Sequence, residues 1–273
     1  MEILTRQTIA VVPGLDLEEF RSSFTADHDP REGKAWTPTW VAGRDAVTLI
    51  RSGGYWREAA GQRLYLDASG GYLSPKGVES RFAGDDPCVT TNIYFTTDAH
   101  REILERLSRR RKGWRIRTSQ NFDLRHRALV AAAKRRTDEF ELSERLTFLL
   151  ERLCPVDGAS APSPAHQRLV DRTVEALTVG HLTCGLTDLA RAVGSSPHHL
   201  SRVFRGTTGR TLTDYRNELR VRAVLECVSD GADNLADLAA EYGFADHAHL
   251  SRTVRRYTGM PPSAFRSGSA TLR

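Results

Sequence analysis

Two nine-residue stretches hold the side chains best suited to reading a polyanion. HHLSRVFRG spans 198–206, and AHLSRTVRR spans 248–256. Both spell His-Leu-Ser-Arg, and both place a further arginine three positions on, at Arg205 and Arg255. An arginine fork bridges guanine or clamps a phosphate, and histidine and serine near a helix start reach base edges or phosphate oxygens. The set of interest is His198, Ser201, Arg202 and Arg205 in the first copy. In the second it is His247, Ser251, Arg252, Arg255 and Arg256.

The periodicity predicts what holds these residues. Leu200, Val203 and Phe204 fall at i, i+3 and i+4, and Leu250 and Val254 repeat that face. The opposite face of each helix is then polar and cationic. Each is preceded by a short amphipathic helix. LTDLARAVG (186–194) matches LADLAAEYG (235–243), with Leu186, Leu189, Ala190 and Val193 against Leu235, Leu238, Ala239 and Tyr242. The closing glycine of each can turn left-handed and stop the helix. Ser196 before Pro197, and Asp246, are N-cap residues for the second helices. One extra residue separates Gly243 from Asp246, which a turn tolerates and a helix interior does not. Between the copies, Leu212, Tyr215, Leu219, Ala223 and Cys227 predict a connecting helix over about 212–228, roughly 25 Å long. Two heads on such a spacer suit successive major-groove segments, about 34 Å apart, on one side of a duplex.

A duplicated helix pair could instead be a repeat scaffold. The recurrence of Ser-Arg on the displayed face favours nucleic acid, since net charge does not decide the matter. Residues 166–266 hold 13 Arg, no Lys and 11 Asp plus Glu, and the whole chain of 273 residues is only +5. The densest basic run, RLSRRRKGWRIR (106–117), reads either as a phosphate track or as a solvated helix end. No phosphate loop, nucleophile elbow or metal-binding helix motif is present, so no catalytic residue, cofactor or metal is expected. Cys88, Cys154, Cys184 and Cys227 lack metal-ligand spacing and fit reduced thiols in a cytoplasmic protein. No secretory signal or membrane span is expected.

Residues 36–97 have a different grammar. AVTLIRSG (46–53), GYWREA (54–59), QRLYLD (62–67), GGYLSP (70–75) and CVTTNIYF (88–95) are short β-prone runs with glycine turns, which predict a small sandwich or barrel. Ile103, Leu104 and Leu107 then mark a helix. Leu142, Leu146, Leu149, Leu150 and Leu153 mark another, whose stripe serves either the core or a dimer contact. PVDGASAPSP (155–164) has linker composition. The fold class is therefore α+β and multidomain. A small sandwich or barrel with flanking helices fills 1–154, a linker 155–164, and an all-α double helix-turn-helix 165–268.

Residues 166–266 resemble the AraC/XylS family of transcriptional regulators. Gly243-Phe244, Arg252, Gly259, Pro262 and Phe265-Arg266 stand where that family's second helix-turn-helix places its motif, and LRVRAVLECV (219–228) is similar to its linker helix. Leu250, Val254 and Val224 depart from the pattern as apolar core exchanges. The resemblance implies that His198, Ser201, Arg202, His247, Ala248, Ser251 and Arg252 face the groove. It further implies a cupin-like N-terminal domain for effector binding and dimerisation. The implied partners are promoter DNA, a small-molecule effector, a second copy of the chain and, for an activator, RNA polymerase. Trp40, Tyr65, Leu73 and Tyr94 are the candidate effector-pocket residues. A metal-dependent cupin enzyme fused to a DNA-binding domain is the alternative. His28, His100 and His126 are too far apart for its metal motif.

Overall fold

A computed structural model of the chain describes residues 2–23, 36–84, 87–98, 103, 105, 115–135, 138–153, 163–180 and 182–268. Most of the basic run at 106–117, most of the linker at 155–164, and Leu104, Leu107, Cys154, His28 and His100 lie outside them. The chain divides into two compact units, one within Met1–Asp157 and the other spanning Gly158–Arg266.

In the first unit, strands β1 (Glu2–Val12), β2 (Leu15–Ser23), β4 (Ala46–Ser52), β7 (Gly70–Ser74), β9 (Cys88–Phe95) and β10 (Arg115–Arg117) form one sheet, in the order β1-β2-β9-β4-β7-β10. Strands β3 (Trp40–Val41), β5 (Gly54–Ala59), β6 (Gln62–Asp67) and β8 (Glu79–Ala83) form a second, ordered β3-β8-β5-β6. All the pairings are antiparallel. The barrel expected from the sequence thus takes the form of two sheets packed against each other through β6, β4 and β7. β1 and β2 escape a reading by alternation. They bury Glu18 and Glu19, which pair with Arg6 and Arg51, so charge interrupts the apolar pattern.

The large sheet has two different faces. Leu17, Val47, Leu49, Leu73, Ile93 and Ile116 point towards helices α1 (Gln120–Lys134) and α2 (Glu139–Glu151) and form the main core. Leu142, Leu146, Leu149, Leu150 and Leu153 are all buried in that core. The leucine stripe of α2 is therefore core packing and not a dimer contact: α2 covers one face of the sheet, which leaves no part of the stripe for a second copy. On the other face, Tyr72, Thr48, Asn92 and Glu18 lie in register across β7, β4, β9 and β2. Side chains of this inner face meet Tyr55, Leu66 and Phe82 of the small sheet. The space between the sheets is thus partly polar. Thr48 Oγ1 donates to Asn92 Oδ1 at 2.7 Å, and Asn92 Nδ2 to Thr90 Oγ1 at 3.2 Å.

The second unit is helical: α3 (Pro164–Thr178), α4 (Leu186–Ala192), α5 (Pro197–Thr208), α6 (Leu212–Ser229), α7 (Leu235–Glu241) and α8 (His247–Thr258), followed by a 3-10 turn at Pro262–Gly268. α3 packs on α4 and α5, and α6 on both α5 and α8. Among the described residues no helix is long and apolar enough to cross a membrane.

Candidate nucleic-acid interface

The two helix pairs are built by the same local chemistry. Ser196 accepts the His199 amide at 3.3 Å and Asp246 the His249 amide at 2.6 Å, capping α5 and α8. That hydrogen bond, reinforced by Arg252, holds the Asp246 carboxyl below its ordinary range. Both helices end alike. Gly209 and Gly259 are left-handed, at φ 74 and 76. Thr208 Oγ1 donates to Phe204 O at 2.8 Å and Thr258 Oγ1 to Val254 O at 2.9 Å. The sequence carries this device as a repeated Thr-Gly, a signal the helical periodicity alone passes over.

The turns between paired helices differ. Gly194 (φ 66) has open space around its Cα, whereas a Cβ on Gly243 (φ 70) would lie 2.7 Å from Thr183 Cγ2 and 2.9 Å from an Arg220 guanidinium nitrogen. Gly194→Ala is expected to cost about 1–2 kcal/mol from backbone strain alone. Gly243→Ala should cost more, because Thr183 and Arg220 must also move. Paired denaturant titrations check the order, which is the informative result.

Burial sorts the side chains in the same way in both copies. Leu200, Val203 and Phe204 are buried in α5, and Leu250, Thr253 and Val254 in α8. Arg202 and Arg205, and Arg252, Arg255 and Arg256, are exposed. His198 and His247 are exposed, while Ser201, Ser251 and Ala248 are half-buried. Among the described residues none of these five arginines has a carboxylate within salt-bridge distance; Arg202 lies 3.5 Å from His199 Nδ1. Other arginines of the unit are tied down: Arg191 to Asp188, Arg210 and Arg222 to Glu218, and Arg266 to Asp233. Arg168 and Arg172 of α3 are also exposed, an addition to the sequence-derived set.

Helix α6 braces both pairs. At 18 residues it is about 27 Å long. Arg216 donates to Cys184 O at 2.7 Å, and Arg220 Nε to Leu182 O at 2.9 Å, fixing the segment that leads into α4. Burial lowers Arg220 to about 10. On the other pair, Tyr257 Oη donates to Asp214 O at 2.9 Å, and Cys227 meets Tyr242 Oη at 3.3 Å. The single apolar stripe expected for α6 is too narrow a description. Val221, Val224, Leu225 and Val228 are buried as well, and so is the Glu218–Arg222 pair. Leu212, Ala223 and Cys227 are only half-buried. A helix gripped on several sides fixes the separation of what it carries.

The four candidate effector residues do not share one place. Trp40 is 45% exposed on the two-residue strand β3. Tyr65 is buried beside Trp56, with ring centroids 5.5 Å apart. Leu73 belongs to the core under the helices. Tyr94 points to the inner face beneath Arg44, whose guanidinium is 4.1 Å from the ring centroid. Among the described residues there is no group of three or more His, Cys, Asp or Glu able to hold a metal ion.

Two short-helix, turn, second-helix units on one bracing helix make a double helix-turn-helix domain. A family model described as a helix-turn-helix domain matches residues 189–268. The HTH-type transcriptional regulator GlxA of Rhizobium meliloti is 31% identical over 85 residues, 31% of this chain and 26% of that protein. The multiple antibiotic resistance protein MarA of Escherichia coli is 28% identical over 81 residues, 30% of this chain and 64% of that protein. The arabinose operon regulatory protein of Escherichia coli is 30% identical over 83 residues, 30% of this chain and 28% of that protein. The chain thus spans less than two thirds of the length of each of these relatives. Over residues 189–268 the C-terminal unit thus carries a helix-turn-helix domain similar to those of AraC-type regulators.

Proposed function

We propose that this chain is a sequence-specific transcriptional regulator that binds double-stranded promoter DNA through α5 and α8. One observation carries the reading: matched helices expose arginines that form no salt bridge among the described residues, while other arginines of the same unit are paired. A cation left free at the surface keeps its charge available to phosphate and base edges. In this reading His198, Ser201, Arg202 and Arg205 enter one major-groove segment. His247, Ala248, Ser251, Arg252, Arg255 and Arg256 enter the next. Residues 165–268 are the DNA-binding domain, 155–164 the linker and 1–154 an effector-binding domain, all acting in the cytoplasm. The partly polar space between the sheets supports effector control, because a solid apolar filling offers a ligand no hydrogen bonds. A homodimer, where one forms, uses a surface other than the leucine stripe of α2. An activator also meets RNA polymerase.

The test is selection of bound fragments from the host genome, followed by fluorescence anisotropy on the enriched site across a salt series. The expected result is a discrete enriched motif and an affinity that falls steeply with salt, since each phosphate contact releases counterions. No enrichment, together with salt-insensitive binding, contradicts the reading.

A further inference from the structure

The two helix pairs are copies, so each position has an internal counterpart. TGRTLTDYR (208–216) aligns with TGMPPSAFR (258–266), which sets Arg216 against Arg266. The match of LTDLARAVG with LADLAAEYG sets Cys184 against Asp233. The hydrogen bonds agree with that alignment. Arg216 Nη1 donates to Cys184 O at 2.7 Å, and Arg266 Nη2 donates to Asp233 O at 2.7 Å. The copies differ in charge alone. Arg266 Nε also lies 3.5 Å from the Asp233 carboxylate. Cys184 brings no carboxylate, and Arg216 forms no salt bridge among the described residues.

Beside Arg216 a cleft of about 250 Å³ opens between α3, α4, α5 and the start of α6. Leu177, Leu186, Leu189 and Leu212 wall it. Leu186 is 43% exposed, although it is a large apolar side chain. Arg205 lines the same cleft, and its guanidinium is exposed and forms no salt bridge among the described residues. Among the described residues no Asp or Glu lines the cleft. Four leucines, two cations and no acid complement a molecule with an apolar body and a negative head.

We propose that this cleft binds a small apolar monocarboxylate. The carboxylate accepts from the exposed Arg205 guanidinium, in the field of Arg216, and the hydrocarbon body covers Leu186 and Leu212. At about 30 Å³ for each non-hydrogen atom, the space holds roughly eight of them. The bound anion supplies the first copy with the negative charge that Asp233 gives the second. Arg205 belongs to the set proposed for the major groove, so an occupied cleft withholds one cation from DNA. That regulatory meaning rests on the function proposed above; the binding itself does not.

The experiment is thermal unfolding of the full chain with hexanoate or benzoate, against hexanamide or benzamide, at fixed ionic strength. At least one acid is expected to raise Tm saturably, by about 3 °C or more, while its amide does not. Arg205→Gln should keep the ligand-free Tm, since the side chain is exposed, and lose most of the response. Leu186→Ser, on the apolar wall, should weaken the response several-fold. Cys184→Asp, which gives the first copy the acid of the second, should weaken it as well. No response to either acid, equal responses to acid and amide, or an undiminished response in Arg205→Gln overturns the site. Anisotropy on the enriched DNA then reads regulation: saturating acid is expected to weaken binding several-fold. Unchanged DNA affinity beside a Tm shift that Arg205→Gln abolishes refutes the competition and leaves the site standing. Should no DNA motif be enriched, the function proposed above fails, and the Tm series still decides the site.

Discussion

Phe204→Ala is expected to lower the stability of the C-terminal unit by about 3–5 kcal/mol. The Phe204 side chain is 0% exposed and meets Tyr215 edge-on, with ring centroids 5.2 Å apart. It is the contact through which α5 is seated on the start of α6. Deletion removes the transfer energy of a large ring, leaves a cavity that rigid neighbours fill poorly, and forfeits the aromatic pair. A domain with about 5–15 kcal/mol of total stability then loses a large part of it. Phe204→Leu keeps most of the volume and should lose far less. Calorimetric melting of both variants checks this, and a near-native midpoint for Phe204→Ala would contradict the packing described. DNA affinity should fall with the population of folded α5, even though no residue assigned to the groove has changed.

The second large effect concerns the reading heads themselves. Arg202→Ala and Arg252→Ala are each expected to weaken binding to the enriched site by about 1–3 kcal/mol, or roughly 5- to 150-fold. Both side chains are exposed, so the protein should keep its melting temperature. That separation of affinity from stability distinguishes contact residues from packing residues. The double variant should approach non-specific affinity, with the two losses near additive because the heads are carried by different helix pairs. Arg63→Ala is the control: Arg63 is exposed in the other unit and bound to Glu58, and its loss should leave DNA affinity unchanged. If an arginine touches phosphate instead of base, its variant should bind all sequences more weakly and reduce the salt slope by about one.

Much of the C-terminal unit was legible because its helices follow simple rules. Leu200, Val203 and Phe204 at helical spacing, with Ser196 and Pro197 before them, mark both the buried face and the start of α5. The set proposed for the groove is the remainder of each helix, and its arginines are exposed. Thr253 was not marked as core, since a hydroxyl-bearing residue does not stand out as apolar. Helix α6 was read too simply because Glu218 and Arg222 cancel each other's charge inside the unit, which a hydrophobic pattern cannot register. The same chemistry hid β1 and β2, where Glu18 and Glu19 are buried by pairing with arginines. In contrast, β5, β6 and β9 were legible to the residue, since glycine turns and β-branched or aromatic runs bound them. The leucine stripe of α2 was visible, but its destination was not: periodicity shows that a face is apolar, not what covers it.

The account stands on α5 and α8 reading one duplex together, and guanine-N7 methylation interference on the enriched DNA tests this most directly. The predicted result is two clusters of interfering major-groove positions, about one helical turn apart on the same side of the DNA. Arg202→Ala should erase one cluster and Arg252→Ala the other. A single cluster, or a pattern that neither substitution alters, would contradict it.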